Sequence, residues 1–128
     1  MTKILLVDDE QSIRTVYTEY LNRVDDFKVE TAEDGNDALL KIAQSKPDIV
    51  ILDISLPEIS GVDVLGIIKA DPEFKKIPVV ILTGSQDYTE INKCLGMGAA
   101  SYITKGEKHD EIIDKIKMVI KLNQRIRN

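Results

Sequence analysis

Along the 128 residues, short apolar runs alternate with stretches in which apolar residues recur every three or four positions. Five runs read as strands, and each of the first four is followed by a helix-period segment before the next begins. That alternation argues for an α/β domain built on a parallel sheet. The first strand is expected over Lys3–Val7. Behind it Ile13, Val16, Tyr17, Tyr20, Leu21 and Val24 keep the spacing of one helix face. The second strand, Phe27–Ala32, alternates Phe27, Val29 and Thr31 with Lys28 and Glu30, as a half-exposed edge strand does. A second helix carries Ala38, Leu39 and Ile42.

The third and fourth strands, Asp48–Leu52 and Val79–Leu82, are continuous apolar runs, which predicts cover on both faces and a central place in the sheet. Between them SLPEISG leads into a helix with Val64, Leu65 and Ile68 that Asp71-Pro72 stops. Ile91, Cys94 and Leu95 mark a fourth helix ending near Gly96 and Gly98. SYIT forms a short fifth strand, and Ile112, Ile113, Ile116, Val119 and Ile120 share one face of a last helix. Connections of this kind are right-handed. With the second strand at one edge and the fifth at the other, the order is 2-1-3-4-5, the arrangement already known for flavodoxin-like sheets, with helices on both faces.

Composition narrows the function classes. The chain is 43% hydrophobic and 30% charged and has the length of one domain, expected to span residues 1–128. Its longest apolar runs, IVIL and VVIL, are too short to cross a bilayer, and its first residues lack the pattern of a signal peptide. A cytoplasmic protein with no membrane contact is expected, and Met1 reads as a natural start. Cys94, the only cysteine, cannot form an internal disulfide, and with His109 as the only histidine it cannot build a zinc site. The net charge is −5, and the one basic cluster, Lys121, Arg125 and Arg127, reads as a solvated helix end. Direct nucleic-acid binding is therefore not expected, and no DNA-binding or catalytic output segment is visible.

Chemistry concentrates at the strand ends. In a parallel sheet, ligands bind at the carboxyl ends of the strands. There the sequence places Asp8 and Asp9 after the first strand, Asp53 after the third, Thr83 after the fourth and Lys105 after the fifth. Taken singly, each could be a helix cap, a turn former or a solvated loop residue. Together they converge three carboxylates, a hydroxyl and an ammonium on one pocket. Two carboxylates ~5 Å apart repel by about 3 kcal/mol at an effective dielectric near 20, and one lysine cannot offset three such pairs. A site of oxygen ligands without Cys or His suits Mg²⁺ or Mn²⁺. An aspartate beside such a metal can serve as nucleophile toward a phosphoryl group, with the lysine stabilising charge on the transferring oxygens.

The segments LLVDDE, VILDISLPEISG, ILTGS and GAASYITK, in this order, resemble the receiver domains of two-component response regulators, and the resemblance covers essentially the whole chain. It implies that Asp53 is the phosphoacceptor, Asp9 a direct Mg²⁺ ligand, Asp8 a ligand through water and the Ser55 backbone carbonyl a further ligand. Lys105 would pair with the phosphoryl group, Thr83 would donate its hydroxyl to it, and Tyr102 would change rotamer as Thr83 moves inward. The surface formed by the fifth strand and its flanking helices would then report the state to a downstream protein. The implied phosphodonor is a histidine kinase or a histidine phosphotransfer protein. No turnover of an external substrate is expected.

One position departs from the family pattern: Gly106 stands where a proline with a cis peptide usually follows the lysine. A non-proline cis bond costs about 3 kcal/mol, so a trans Lys105-Gly106 bond in a looser loop is expected, with Lys105 less firmly placed. Ser55, Gly84 and Ser85, all small, are expected to flank the phosphoryl position, and Glu10 to be only the helix start. Other readings stay open. The chain could relay phosphate onward or be one receiver of a longer regulator. A haloacid dehalogenase-like phosphohydrolase also uses an Asp nucleophile with Mg²⁺, but in a D-x-D register after its first strand. A flavodoxin-like flavin carrier would need a phosphate-binding loop where this chain has acids.

Overall fold

The computed structural model describes residues 1–84 and 88–127. Its elements run β1 (Thr2–Val7), α1 (Gln11–Leu21), β2 (Phe27–Ala32), α2 (Gly35–Ser45), β3 (Ile49–Asp53), α3 (Gly61–Ala70), β4 (Val79–Thr83), α4 (Tyr88–Gly96), β5 (Ser101–Thr104) and α5 (His109–Arg127). The five strands form one sheet in the order β2-β1-β3-β4-β5, every pair parallel, as the alternation predicts. Every residue of β3 and β4 is buried, which explains their uninterrupted apolar runs.

Successive strand residues point to opposite faces, so the sheet feeds two cores. Leu5, Val7, Val50, Leu52, Val79 and Ile81 pack with residues of α2, α3 and α4, among them Ile42, Leu65, Ile68 and Cys94. Ile4, Leu6, Ile49, Ile51, Val80 and Leu82 pack with Tyr17, Tyr20 and Leu21 of α1 and Ile112, Ile116 and Val119 of α5. Side-chain caps start two of the helices: Asp34 accepts from the Asp37 amide at 2.7 Å, and Ser60 from the Asp63 amide at 3.2 Å.

Three expectations need correction. Val16 and Leu95 do not face the core but are 46% and 37% exposed, because the neighbouring elements cover a narrower stripe of each helix than the spacing suggests. Val24 lies beyond the end of α1, in the turn that leads to β2. β3 starts one residue later than expected. Pairing with β1 begins at Ile4 opposite Ile49, while the exposed Asp48 turns its carboxylate back to the Lys3 amide at 2.8 Å. That register carries Asp53 into the strand, opposite Leu82.

One glycine is fixed by close approach. A Cβ at Gly61 would lie 2.1 Å from the Asp53 carbonyl oxygen, so only glycine lets the start of α3 press onto the end of β3. Lys121 and Arg125 are exposed on α5, as expected of a solvated helix end. The Arg127 side chain and Ser85 lie outside the described residues. Among the described residues no helix is long and apolar enough to cross a membrane.

Candidate functional site

Parallel pairing brings the ends of β1, β3, β4 and β5 to one edge of the sheet, and the chain puts its buried polar groups there. Asp8, Asp53 and Thr83 are 0%, 2% and 4% exposed, and among the described residues they alone form the buried polar and charged set. Burying an ionised carboxylate is costly unless hydrogen bonds and countercharge compensate. The backbone supplies the first part. Asp8 Oδ1 accepts from the Glu10 amide at 2.8 Å, and Asp53 Oδ1 from the Ser55 amide at 2.9 Å. The backbone on either side is pinned as well: the Asp8 amide donates to the Ala32 carbonyl, the Asp8 carbonyl accepts from Arg14, and the Lys105 amide donates to the Thr83 carbonyl at 2.8 Å.

Lys105 supplies the countercharge. Its Nζ lies 3.0 Å from Asp8 Oδ2, 3.2 Å from Glu10 Oε1 and 3.3 Å from Asp53 Oδ2. One ammonium thus bridges three carboxylates. Burial alone would lower the pKa of Lys105, but Asp8, Asp53 and Glu10 overcome it and hold the lysine protonated. Asp53 is pushed up to about 6, first by burial and then by the charge of Asp8, against the Ser55 amide and Lys105, which both favour the carboxylate. The second oxygen of Asp8, Oδ2, is fully buried, and its partner at 3.0 Å is the ammonium it shares with Glu10 and Asp53.

Asp8 also has other acids for neighbours. Carboxylate oxygens of Asp8, Asp9 and Glu10 lie within 4.8 Å of one another, Asp8 buried and the other two exposed. Hard oxygen donors of this kind, whose nearby ammonium is shared among three carboxylates, fit a hard divalent cation such as Mg²⁺ or Mn²⁺. Asp53 meets this group through the shared lysine. Thr83 closes β4 beside it, opposite Thr104 in the β4–β5 register. Ser55 is exposed just past Asp53. Tyr102 sits half-buried on β5 against the α2–α4 core, with Lys115 4.9 Å from its ring centre.

Lys105 follows a trans peptide into Gly106, as expected, yet it is not loosely placed: three carboxylates hold its tip and the Thr83 carbonyl its amide. Glu10 likewise is more than a helix start. It is the N-cap of α1 without a side-chain cap bond, and its carboxylate is free to reach Lys105. The adjacency DDE carried a signal for Glu10. Nothing in the sequence pattern marked Arg14, which holds the Asp8 carbonyl at 2.7 Å, or Tyr17, whose hydroxyl donates to the Lys105 carbonyl at 3.4 Å.

Known proteins similar to this chain in sequence and fold are numerous. The family model described as the response regulator receiver domain matches residues 4–117. The transcriptional regulatory protein KdpE of Mycobacterium tuberculosis is 35% identical over 123 residues, covering 96% of this chain and 53% of its own length. The chain therefore spans about half the length of the curated relatives it matches. Among solved structures, a CheY-like receiver domain protein from Methanospirillum hungatei superposes with a TM-score of 0.88 at 26% identity, covering 98% of both chains. The Vibrio cholerae chemotaxis protein CheY4 superposes with a TM-score of 0.86 at 27% identity, over 93% of this chain and 98% of that one.

Proposed function

The chain belongs to the response regulator receiver domain family, and from that premise we propose that residues 1–128 act as one receiver whose phosphoacceptor is Asp53. Receiver domains are signalling phosphoacceptors of two-component systems rather than enzymes turning over an external substrate. The observation that carries the assignment is the buried Asp53 carboxylate, whose Oδ2 lies 3.3 Å from the shared ammonium of Lys105.

The donor would be a phosphohistidine on a histidine kinase or a phosphotransfer protein. The Asp53 Oδ–phosphorus bond forms as the phosphorus–nitrogen bond breaks, and the leaving imidazole keeps the electron pair. The Ser55 amide, donating to Asp53 Oδ1, aims the other oxygen at the incoming group. Lys105 and the Thr83 hydroxyl are the donors for the phosphoryl oxygens. Asp8, Asp9, Asp53 and the Ser55 carbonyl are the residues that would hold Mg²⁺ or Mn²⁺. When bound, the cation neutralises charge on the transferring oxygens.

Phosphorylation would draw Thr83 inward, and Tyr102 would follow, biasing a two-state equilibrium of α4, β5 and α5 that a downstream protein reads. Onward transfer to a phosphotransfer protein uses the same chemistry in reverse. The test is incorporation of phosphate from a small phosphodonor with Mg²⁺, comparing the native protein with Asp53→Asn. Labelling that disappears in the variant supports the reading, and equal labelling defeats it.

A further inference from the structure

The turn that carries Lys105 has little packing of its own. A Cβ built at Gly106 would meet nothing within 4 Å, and the peptide before it is an ordinary trans bond. Glu107 closes the turn instead. Its amide donates to the Thr104 carbonyl at 3.0 Å, and its carboxylate Oε2 accepts from the Thr104 amide at 2.7 Å. Backbone and side chain of one residue thus grip the residue immediately before Lys105.

Glu107 is in turn held by α5. Lys115 Nζ lies 2.9 Å from Glu107 Oε1 and 3.2 Å from Oε2. The pair is sheltered, the side chains being 35% and 17% exposed, so it is less screened than an ordinary surface ion pair. The same ammonium donates to the Tyr102 carbonyl at 2.9 Å and stands 4.9 Å from the centre of the Tyr102 ring, within cation–π reach. Burial works against the Glu107 carboxylate, yet Lys115 and the Thr104 amide hold its pKa below the usual range. One side chain of α5 therefore touches both the residue expected to report the state of the site and the carboxylate that closes the Lys105 turn.

We propose that Lys115 is a positioning residue for the phosphoacceptor reaction: it holds Tyr102 in the orientation seen here and, through Glu107, keeps the Lys105 turn closed. The proposal rests on the phosphoacceptor reading of Asp53 and adds to it a direct mechanical link between α5 and the site. A partner that engages Lys115 on α5 would loosen Tyr102 and the Lys105 turn together.

Lys115→Gln keeps polarity and a hydrogen-bond donor, is one atom shorter and removes the charge, while Lys115→Arg keeps both charge and reach. With phosphoramidate as donor and saturating Mg²⁺, the Gln variant is expected to phosphorylate roughly fivefold more slowly, within the range by which network residues modulate a site they do not touch. The ring signals of Tyr102 in a carbon–proton NMR spectrum, assigned with Tyr102→Phe, are expected to shift in the Gln variant. The Arg variant should recover most of the rate and the native ring signals. Urea unfolding establishes that each variant is folded under assay conditions. A merely structural lysine would lower the urea midpoint and leave the rate and the Tyr102 signals of the folded protein unchanged, and that result overturns the proposal. So does an Arg variant as slow as the Gln variant. Failure of the underlying reading looks different: Asp53→Asn would then label like the native protein, whatever Lys115 does.

Discussion

Replacing Asp53 by asparagine in metal-free buffer is expected to stabilise the protein, and to do so more at pH 8 than at pH 4.5. In the unfolded chain Asp53 titrates near the usual 3.8, while in the folded protein burial and Asp8 push it up to about 6. The folded state thus binds this proton more tightly than the unfolded state, so ionising Asp53 subtracts from stability. The penalty is absent well below the unfolded value, at about pH 3, where both states are protonated, grows as the pH rises from there to about 6, and is complete above that. At about 1.4 kcal/mol per pH unit it comes to about 3 kcal/mol at pH 8 and falls to about 1 kcal/mol at pH 4.5.

Asparagine keeps the shape and can still accept from the Ser55 amide, and Lys105 keeps Asp8 and Glu10 as partners. The native penalty is therefore close to the stability the variant gains. Equilibrium urea unfolding in the presence of a chelator, at both pH values, reads it directly. Added Mg²⁺ should narrow the difference, because the cation offsets the same charge in the native protein. A variant no more stable than the native protein at pH 8, or a gain that does not shrink as the pH falls, would refute the electrostatic reasoning.

Other perturbations test the remaining contacts. Lys105→Met leaves Asp8 and Asp53 buried together without the ammonium that bridges them. It should cost about 3 kcal/mol in metal-free urea unfolding at pH 8, and less at lower pH, where Asp53 takes up a proton. Asp9→Asn alters an exposed side chain and should change metal-free stability by less than about 0.5 kcal/mol. It should nevertheless remove most of the stabilisation by Mg²⁺, which for the native protein reaches about 2.7 kcal/mol at a hundredfold excess over the dissociation constant. Gly61→Ala sets a methyl group 2.1 Å from the Asp53 carbonyl oxygen and should lower stability by about 3 kcal/mol by the same assay.

The sheet was legible because its burial is two-sided and periodic: IVIL and VVIL need cover on both faces whatever lies around them. Details that depend on a neighbour were not. Val16 belongs to the apolar face of α1 by spacing, but the sheet and α5 bury Tyr17, Tyr20 and Leu21 and leave Val16 exposed. Asp48 and Asp53 bracket the same apolar run, and pairing with β1 and β4, not composition, decides which of them joins the strand. The strand-end residues Asp8, Asp53, Thr83 and Lys105 came together because parallel topology moves strand ends as a set, independently of rotamers. Glu10 came into view only as a helix start and Lys115 not at all, because their roles rest on the reach of long side chains, in one case across 95 positions of sequence.

Glu10 also changes the charge argument that the sequence began. Counting Asp8, Asp9 and Asp53 against Lys105 gave an excess of negative charge that called for a cation. The structure adds Glu10 as a fourth carboxylate of the site, and the ammonium is divided among three of the four, Asp8, Glu10 and Asp53. Division does not create charge: each acid receives less compensation than a dedicated partner would give, and the exposed Asp9 shares its oxygens' neighbourhood with two of them. Asp53 accordingly stays raised to about 6, first by burial and then by Asp8, despite a lysine at 3.3 Å. One ammonium carries a single positive charge against the three carboxylates it touches, so even a firmly placed Lys105 leaves negative charge at Asp8 and Asp9 for a divalent cation to offset.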